Sequence, residues 1–452
     1  SSSQRERIEA DIRKSPWRYV ATSMPEFGRT PAWVNNRIVA WPSVIRLFGC
    51  ATKNKLEIMP GGVARVADSV EKLDETLVCG SMSKDVWVLN NGPVKPTTLL
   101  SSGKQNVELR RTGMDLPSRV AEHMFWLGRF AERMEFMAKH ARYCSSQLTS
   151  EVTSDSLPSQ WQVVRTLCES SKLSREPPRD ETVALHEMRQ TVLGFVFDHN
   201  QSDGLANAAN RIIRNAETIR DRLSLDSWQI LSRLDYSSLG PWPGQRERMG
   251  EALSILNQMI GHLSAFAGLA SESMTRGPGW LFLDLGRRID RAQNLLRLIE
   301  LLLVPYAKNS RQLLEALLDI CDSSMTYRYR YLMSYEIGPV LDLLVVDPSN
   351  PRGLAFQFIQ ILQHLDALPA ADKAEVARYR KKITECRGNL RLFDAEALGE
   401  DIVKDESGKD ERVILRSRLN EFSLHLHDLG NYISRRFLTH TAARQMEDMV
   451  NQ

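Results

Sequence analysis

From residue 117 onward, apolar residues recur three and four positions apart. Val120, Met124, Leu127, Ala131, Met134, Ala138 and Ala141 form one unbroken stripe, and Phe282, Leu285, Ile289, Ala292, Leu296 and Ile299 form a second after Gly277-Pro278. That spacing lays side chains along one face of a helix, so both segments are predicted to be long helices packed in a bundle. Pro117 stands where a helix-opening proline is tolerated, because the first N–H groups have no intrahelical partner. Further helices are predicted over roughly 179–199, 204–222, 247–273, 309–336, 351–367, 371–391 and 411–438, with polar loops near 145–160, 236–246 and 400–410.

The first ninety residues follow another pattern. Short β-rich runs at 17–21, 44–48 and 85–89 alternate with Pro and Gly turns such as Met59-Pro60-Gly61-Gly62, which predicts three or four strands. Residues 5–14 read as a short amphipathic helix leading into them, and residues 91–115, with Asn, Gly, Pro, Thr and Ser and little periodicity, as a linker. The expected fold class is mainly α: a large helical bundle over 116–442 preceded by a small β-rich α/β segment over 1–90.

Composition narrows the function classes. The chain has 452 residues, 42% of them hydrophobic and 25% charged, which excludes collagen-like, coiled-coil-only and largely disordered chains. Six widely spaced cysteines without a CxxC pair indicate neither a disulfide framework nor a zinc knuckle, so a reducing cytoplasm is the default expectation. The net charge of +3 is unevenly spread: residues 1–115 hold 17 Lys/Arg against 12 Asp/Glu, and the remainder 42 against 44. That N-terminal excess suits phosphate or an acidic partner, but is too small for a nucleic-acid surface. The apolar stretch 295–307 is interrupted by Arg297 and Glu300, so no membrane span is expected, and no signal peptide is visible. The opening Ser-Ser-Ser, without Met, fits a processed or excised piece of something longer.

The two strongest helices share a signature. Leu127-Gly128-Arg129-Phe130-Ala131-Glu132-Arg133 recurs 158 residues later as Leu285-Gly286-Arg287-Arg288-Ile289-Asp290-Arg291, and more weakly as Leu429-Gly430-Asn431-Tyr432-Ile433-Ser434-Arg435. This suggests internal duplication. A glycine inside a helix costs about 1 kcal/mol against alanine, so Gly128 and Gly286 imply a compensating gain, most simply a close helix–helix approach. Arg129 with Glu132, and Arg287 with Asp290, each share a helix face, while Arg133 and Arg291 project at another angle. Two readings stand: interhelical salt bridges locking the bundle, or a polar pocket for an anionic, peptide-like ligand formed by Arg129, Glu132, Arg133, Arg287, Asp290 and Arg291.

Other polar clusters read mainly as structure. Asn207, Asn210, Arg211, Arg214, Asn215, Arg220, Asp221 and Arg222 crowd one helix as a solvated face or a polar seam, and Ser224 is a plausible cap for the helix that follows. Tyr327, Arg328, Tyr329, Arg330 and Tyr331 alternate aromatic and basic residues, which could stack on nucleotides but favours packing in so short a run. His425 and His427 do not share a helix face, no HExxH occurs, and no metal site is expected. Gly-x-Ser-x-Gly, Gly-x-Gly-x-x-Gly and Walker loops are all missing from the sequence.

Residues 116–133, Leu116-Pro117-Ser118-Arg119-Val120-Ala121-Glu122-His123-Met124-Phe125-Trp126-Leu127-Gly128-Arg129-Phe130-Ala131-Glu132-Arg133, resemble the opening signature of the bacterial Alpha-E domain. The resemblance continues through Arg220-Asp221-Arg222-Leu223-Ser224-Leu225-Asp226-Ser227-Trp228, Phe266-Ala267-Gly268-Leu269, Met274-Thr275-Arg276 and Asn350-Pro351-Arg352. Residues 16–90, through Ile45-Arg46-Leu47-Phe48, Met59-Pro60-Gly61-Gly62-Val63-Ala64-Arg65-Val66-Ala67 and Ser83-Lys84-Asp85-Val86-Trp87-Val88-Leu89, resemble the C-terminal end of the circularly permuted ATP-grasp family. That resemblance implies an ATP-dependent carboxylate–amine ligase system, in which ATP and Mg²⁺ activate a carboxylate as an acylphosphate before an amine takes it. It makes Arg46, Arg65 and Lys84 candidate phosphate contacts; exposed strand positions are the simpler reading of the two arginines. The family's usual Gln-Glu pair is replaced by Thr22-Ser23, and most of the ATP-grasp body would precede residue 1, so no cofactor is expected to bind this chain alone. An ATP-grasp domain or protein is the expected partner, with a homo-oligomer as a further possibility; a non-catalytic helical scaffold is the alternative function.

Overall fold

Four strands in the N-terminal part, β1 (Arg29–Val34), β2 (Arg37–Ala51), β3 (Leu56–Val66) and β4 (Met82–Val86), pair antiparallel in chain order. Asn35 and Asn36 join β1 to β2 with φ of 48° and 61°, the left-handed turn that asparagine tolerates and that matches strand twist. Met59-Pro60-Gly61-Gly62 is not the chain-reversing turn expected of it, because these residues run through β3. The β2–β3 register shifts between Leu47 and Gly49, and a Cβ at Gly62 would lie 2.6 Å from the Arg46 carbonyl oxygen. The glycine therefore permits close approach at a strand irregularity. Strand β4 ends at Val86, which leaves 87–89 beyond the sheet.

The computed structural model describes residues 8–9, 12–13, 26–51, 56–69, 82–93, 116–150, 152–167, 173–174, 176–235, 249–306, 311–332, 334–368, 373–404 and 410–438. The strand expected over 17–21, the Thr22-Ser23 position, the loop at 236–246 and nearly all of the expected linker lie outside these residues. Of the helix expected over 5–14, residues 8, 9, 12 and 13 are described, and they are helical. The chain divides into two compact units, Ser1–Glu108 and Leu109–Gln452.

Among the described residues of the second unit, the regular structure is helical apart from a two-stranded ribbon, β5 (Val403–Lys404) and β6 (Asp410–Glu411). Its helices are α1 (Ser118–Thr149), α2 (Leu157–Arg165), α3 (Glu181–Phe197), α4 (Leu205–Thr218), α5 (Leu225–Ser232), α6 (Met249–Glu272), α7 (Pro278–Leu303), α8 (Arg311–Ile320), α9 (Ser324–Tyr331), α10 (Ile337–Leu341), α11 (Leu354–Asp366), α12 (Lys373–Arg391), α13 (Ala395–Glu400) and α14 (Val413–Ile433). Asp180 caps α3 by accepting from the Thr182 N–H at 2.9 Å, and Ser224 caps α5 by accepting from that of Ser227 at 3.1 Å. Helix α1 runs several residues into the loop expected at 145–160, since Ser145 and Leu148 still face the core. The single helix expected over 309–336 is broken: Asp322 and Leu332 adopt φ of 49° and 57°, which no helix continues through.

Both apolar stripes are buried, apart from a half-buried Val120. Helix α1 is the hub of the core and packs against α3, α4, α6 and α7. Among the described residues, helix α6 rather than the 295–307 stretch is long and apolar enough to cross a membrane by length and composition. In this fold its Ile255, Leu256, Met259, Leu263 and Phe266 supply core contacts. The aromatic–basic run on α9 divides the same way: Tyr327 is buried and stacks on Tyr335 at 5.5 Å, while Tyr329 is exposed.

Candidate functional site

The two copies of the repeated signature cross each other. A methyl at Gly128 on α1 would lie 2.9 Å from the Leu283 carbonyl carbon on α7, and one at Gly286 would lie 3.2 Å from that of Phe125 on α1; both would be closer still to the oxygens. Leu283 follows Phe125 by the same 158 residues that separate the glycines, so the contact is reciprocal and the crossing has local two-fold pseudosymmetry. The third copy does not enter this contact. Gly430 on α14 faces the Arg129 guanidinium at ordinary van der Waals distance.

The charges obey the same relation. Arg129 donates to Asp290 at 2.6 Å across the helices, and the counterpart Arg287 lies 3.7 Å from Glu132. Arg291 grips both Glu132 oxygens at 2.6 Å, and the counterpart Arg133 lies 2.9 Å from the second Asp290 oxygen. The acids are buried, Asp290 1% and Glu132 4% exposed, and the arginines 11 to 13% exposed except Arg133, which is 41% exposed. Five of the six sequence-named residues therefore form a cross-helix cluster, and Arg133 extends from it toward solvent. Arg129 also lies over the Trp126 ring, 5.0 Å from its centroid.

A second polar group continues this cluster along α1. Lys139 bonds Glu135 and Asp322, and Arg352 reaches Glu135 at 2.8 Å and Asp322 at 3.0 Å. Burial alone would raise the Glu135 carboxyl, but Arg352, Lys139 and Arg291 outweigh it and hold the group far below the usual range. Asp284 on α7 is treated alike. Burial opposes its charge, while a 2.8 Å hydrogen bond with His364 and the nearby Arg288 and Arg287 drive its pKa well down. Asn215 ties α4 to α1 by bonding the ring and the backbone carbonyl of His123, both at 2.6 Å, which makes that asparagine a polar seam.

Two cavities adjoin the crossing. The larger, a cleft of about 510 Å³, is lined by Arg133, Phe136, Met137 and His140 from α1, by Asn294 and Arg297 from α7, and by Arg211 from α4 among others. The smaller, about 30 Å³, is lined by Glu132, Phe136, Lys139, Arg291, Asn294 and Arg352 among others. The Asn294 amide nitrogen is buried and has no hydrogen-bond partner among the described residues. The Nε2 of His140 meets the Val163 carbonyl at 3.1 Å; burial, with Arg297 nearby, lowers its pKa to about 4. Burial pushes the Cys321 thiol, at the smaller cavity, up to about 12. Arg297, Asn294, Lys139, Glu135 and Asp322 were not among the expected site residues. The only sequence signal for Arg297 and Lys139 was that both fall at one repeat position beyond the signature.

In the first unit, paired positions on neighbouring strands share a face. Arg65 opposes Val44 and Ser83, and Arg46 opposes Val63, which places the two arginines on one face of the sheet. Lys84 opposes Ala64 on the other face, where its amine bonds the Thr30 hydroxyl at 3.1 Å and the Pro31 carbonyl. These three residues do not converge on one phosphate, and among the described residues no group of three His, Cys, Asp or Glu is placed to hold a metal ion. The described part of this unit does not by itself fit Mg-ATP.

Comparison with known proteins follows the same division. Residues 1–67 match the model of the circularly permuted ATP-grasp type 2 family. The chain is 25% identical over 422 residues to uncharacterized protein Rv2567 of Mycobacterium tuberculosis, and equally to uncharacterized protein Mb2597 of Mycobacterium bovis. Each match covers 88% of this chain and 46% of the relative, so the chain spans about half the length of the curated relatives it matches. No solved structure matches it. Residues 116–438 match a predicted alpha-helical domain with a conserved ER motif, and the chain belongs to this Alpha-E family.

Proposed function

We propose that this chain works in an ATP-dependent carboxylate–amine ligase system of the ATP-grasp type, with its helical unit holding a peptide-like anionic substrate. ATP and Mg²⁺ would serve an ATP-grasp body, as the match over residues 1–67 suggests. One observation carries the substrate role: a cleft of about 510 Å³, within the usual size range of ligand sites, in which Arg133, Arg211 and Arg297 outnumber the one lining acid, Asp203. The buried members of the cluster, Arg129, Glu132, Arg287, Asp290 and Arg291, then position Arg133 rather than touch substrate.

The pairing of those five residues favours a second reading, a helical scaffold that docks an ATP-grasp partner. The experiment joins a complete circularly permuted ATP-grasp domain to this chain and measures ADP formation from Mg-ATP with an acidic peptide and an amine present. Peptide-dependent ADP formation that falls at least about tenfold in Arg133→Ala supports the substrate role. ADP formation unaffected by that substitution favours the scaffold, and no ADP formation with any peptide–amine pair overturns the ligase reading.

A further inference from the structure

Residues 44–48 of β2 read Val-Ile-Arg-Leu-Phe. A strand with one wet face alternates apolar and polar residues, whereas a nearly continuous apolar run marks a strand covered on both faces. Val44 and Ile45 are neighbours and so point to opposite faces, with Leu47 on the face of Ile45. Nevertheless Val44, Ile45, Leu47 and Phe48 are 40 to 64% exposed. The cross-strand partners of Ile45 and Leu47 are Ala64 and Gly62, which are too small to cover them. On the Val44 face the cross-strand pair Trp33 and Ile38 is exposed as well.

The exposure continues past the sheet. Trp87, Val88 and Leu89 extend the apolar run of β4 beyond its end at Val86, and all three are exposed. In the helical unit, side chains of the same kinds fill the two stripes and are buried. Exposed apolar surface of this density marks an interaction site. The family match indicates the occupant: β1, β2 and β3 all fall within residues 1–67, which match the circularly permuted ATP-grasp family. The curated relatives are about twice as long as the part that this chain matches.

We propose that the sheet is an inner layer of an ATP-grasp fold, and that an ATP-grasp body closes over both of its faces. Val44, Ile45, Leu47 and Phe48 meet that body at the sheet, and Trp87, Val88 and Leu89 lie against it. The contact is apolar and needs no nucleotide. It gives the docking of the ATP-grasp partner to the sheet rather than to the helical unit. The proposal rests on the reading that an ATP-grasp body works with this chain, but neither on a substrate role for the cleft nor on ligase chemistry.

The test co-expresses the whole 452-residue chain with a tagged circularly permuted ATP-grasp domain trimmed of the strands that correspond to β1–β4. Sedimentation velocity reads the complex, and hydrogen exchange reads what is covered. A one-to-one complex is expected, with exchange slowed over residues 44–48 and 87–89. Leu47→Asp and Trp87→Asp, both at exposed positions, are expected to leave the unfolding temperature of the chain alone unchanged and to weaken the complex at least about tenfold. Trp87→Asp carries the test if Leu47→Asp does not fold. Absence of a complex, or a complex that both folded variants form equally well, would overturn the proposal. A chain that sediments alone as a dimer, and as a monomer once Leu47→Asp is introduced, would give the face to a second copy and overturn it too. Peptide-dependent ADP formation that Leu47→Asp leaves undiminished would overturn this docking alone. A complex that forms as expected but makes no ADP would overturn the ligase reading alone.

Discussion

Replacing Gly128 by alanine tests the reciprocal helix crossing. In an ordinary exposed helix the change is favourable by about 1 kcal/mol, because alanine loses less backbone entropy. At Gly128 the new methyl would lie 2.9 Å from the Leu283 carbonyl carbon and 3.2 Å from the Arg287 nitrogen, all backbone atoms that no rotamer change can remove. Carbon contacts are comfortable from about 3.5 Å, so α1 and α7 would have to part by about an ångström. Overpacking of this kind costs about 1–3 kcal/mol, and parting the helices also stretches the Arg129–Asp290 and Arg291–Glu132 pairs, whose buried acids make a broken pair cost about 3–5 kcal/mol. Taking the propensity gain into account, the expected loss is about 3 kcal/mol or more, a large share of a typical domain's 5–15 kcal/mol. Urea unfolding followed by far-UV circular dichroism reads the difference, with Gly261→Ala on α6 as control, since nothing lies within 4 Å of that position. Gly261→Ala is expected to hold or raise the midpoint. If Gly128→Ala does the same, the close crossing is refuted.

Other outcomes follow from the same geometry. Glu132→Gln leaves Arg291 and Arg287 buried without their shared carboxylate and is expected to cost about 3–5 kcal/mol by urea unfolding, whereas Arg133→Ala, half in solvent, is expected to cost under about 1 kcal/mol. Between pH 6.5 and about 4 the unfolded chain binds a proton that buried His140 refuses, so stability falls with pH through that window. His140→Gln is expected to flatten this stretch of the pH–stability curve, by up to about 3 kcal/mol of its fall. Glu135 and Asp284, held below their ordinary values, contribute stability that is present above about pH 4.5 and lost as acid protonates them, so Glu135→Gln is expected to lessen the remaining acid sensitivity in a pH series of unfolding midpoints. Cys144, Cys321 and Cys386 are buried, and peptide mapping after brief iodoacetamide treatment of the native chain at neutral pH is expected to find them unmodified.

The helical architecture was legible because the 3,4 periodicity of the two stripes is a local property, and burial follows it in every residue except half-buried Val120. Two breaks escaped detection for the converse reason. The positive φ at Asp322 and Leu332 interrupts a stretch whose composition still reads as helix, and Gly61-Gly62 serves a close strand contact that a turn signal cannot distinguish from a reversal. The signature showed that Arg129, Glu132, Arg287 and Asp290 belong together, and left interhelical salt bridges and a polar pocket both open. The pairs run between helices, because Gly128 and Gly286 bring the backbones close enough for arginine of one copy to reach the acid of the other. The cleft was less legible, since Arg211, Arg297 and Asn294 come from helices far apart in sequence. Only the repeat offset, carried past the signature to Lys139 and Arg297, pointed toward it.

The central proposal is that the cleft beside the α1–α7 crossing holds a peptide-like anionic substrate. A crystal structure of the chain with triglutamate tests it most directly. The account predicts a peptide carboxylate within about 2.7–3.2 Å of Arg133 nitrogens in the 510 Å³ cleft. Peptide bound elsewhere on the helical unit, or a cleft that stays empty at saturating peptide, would contradict it.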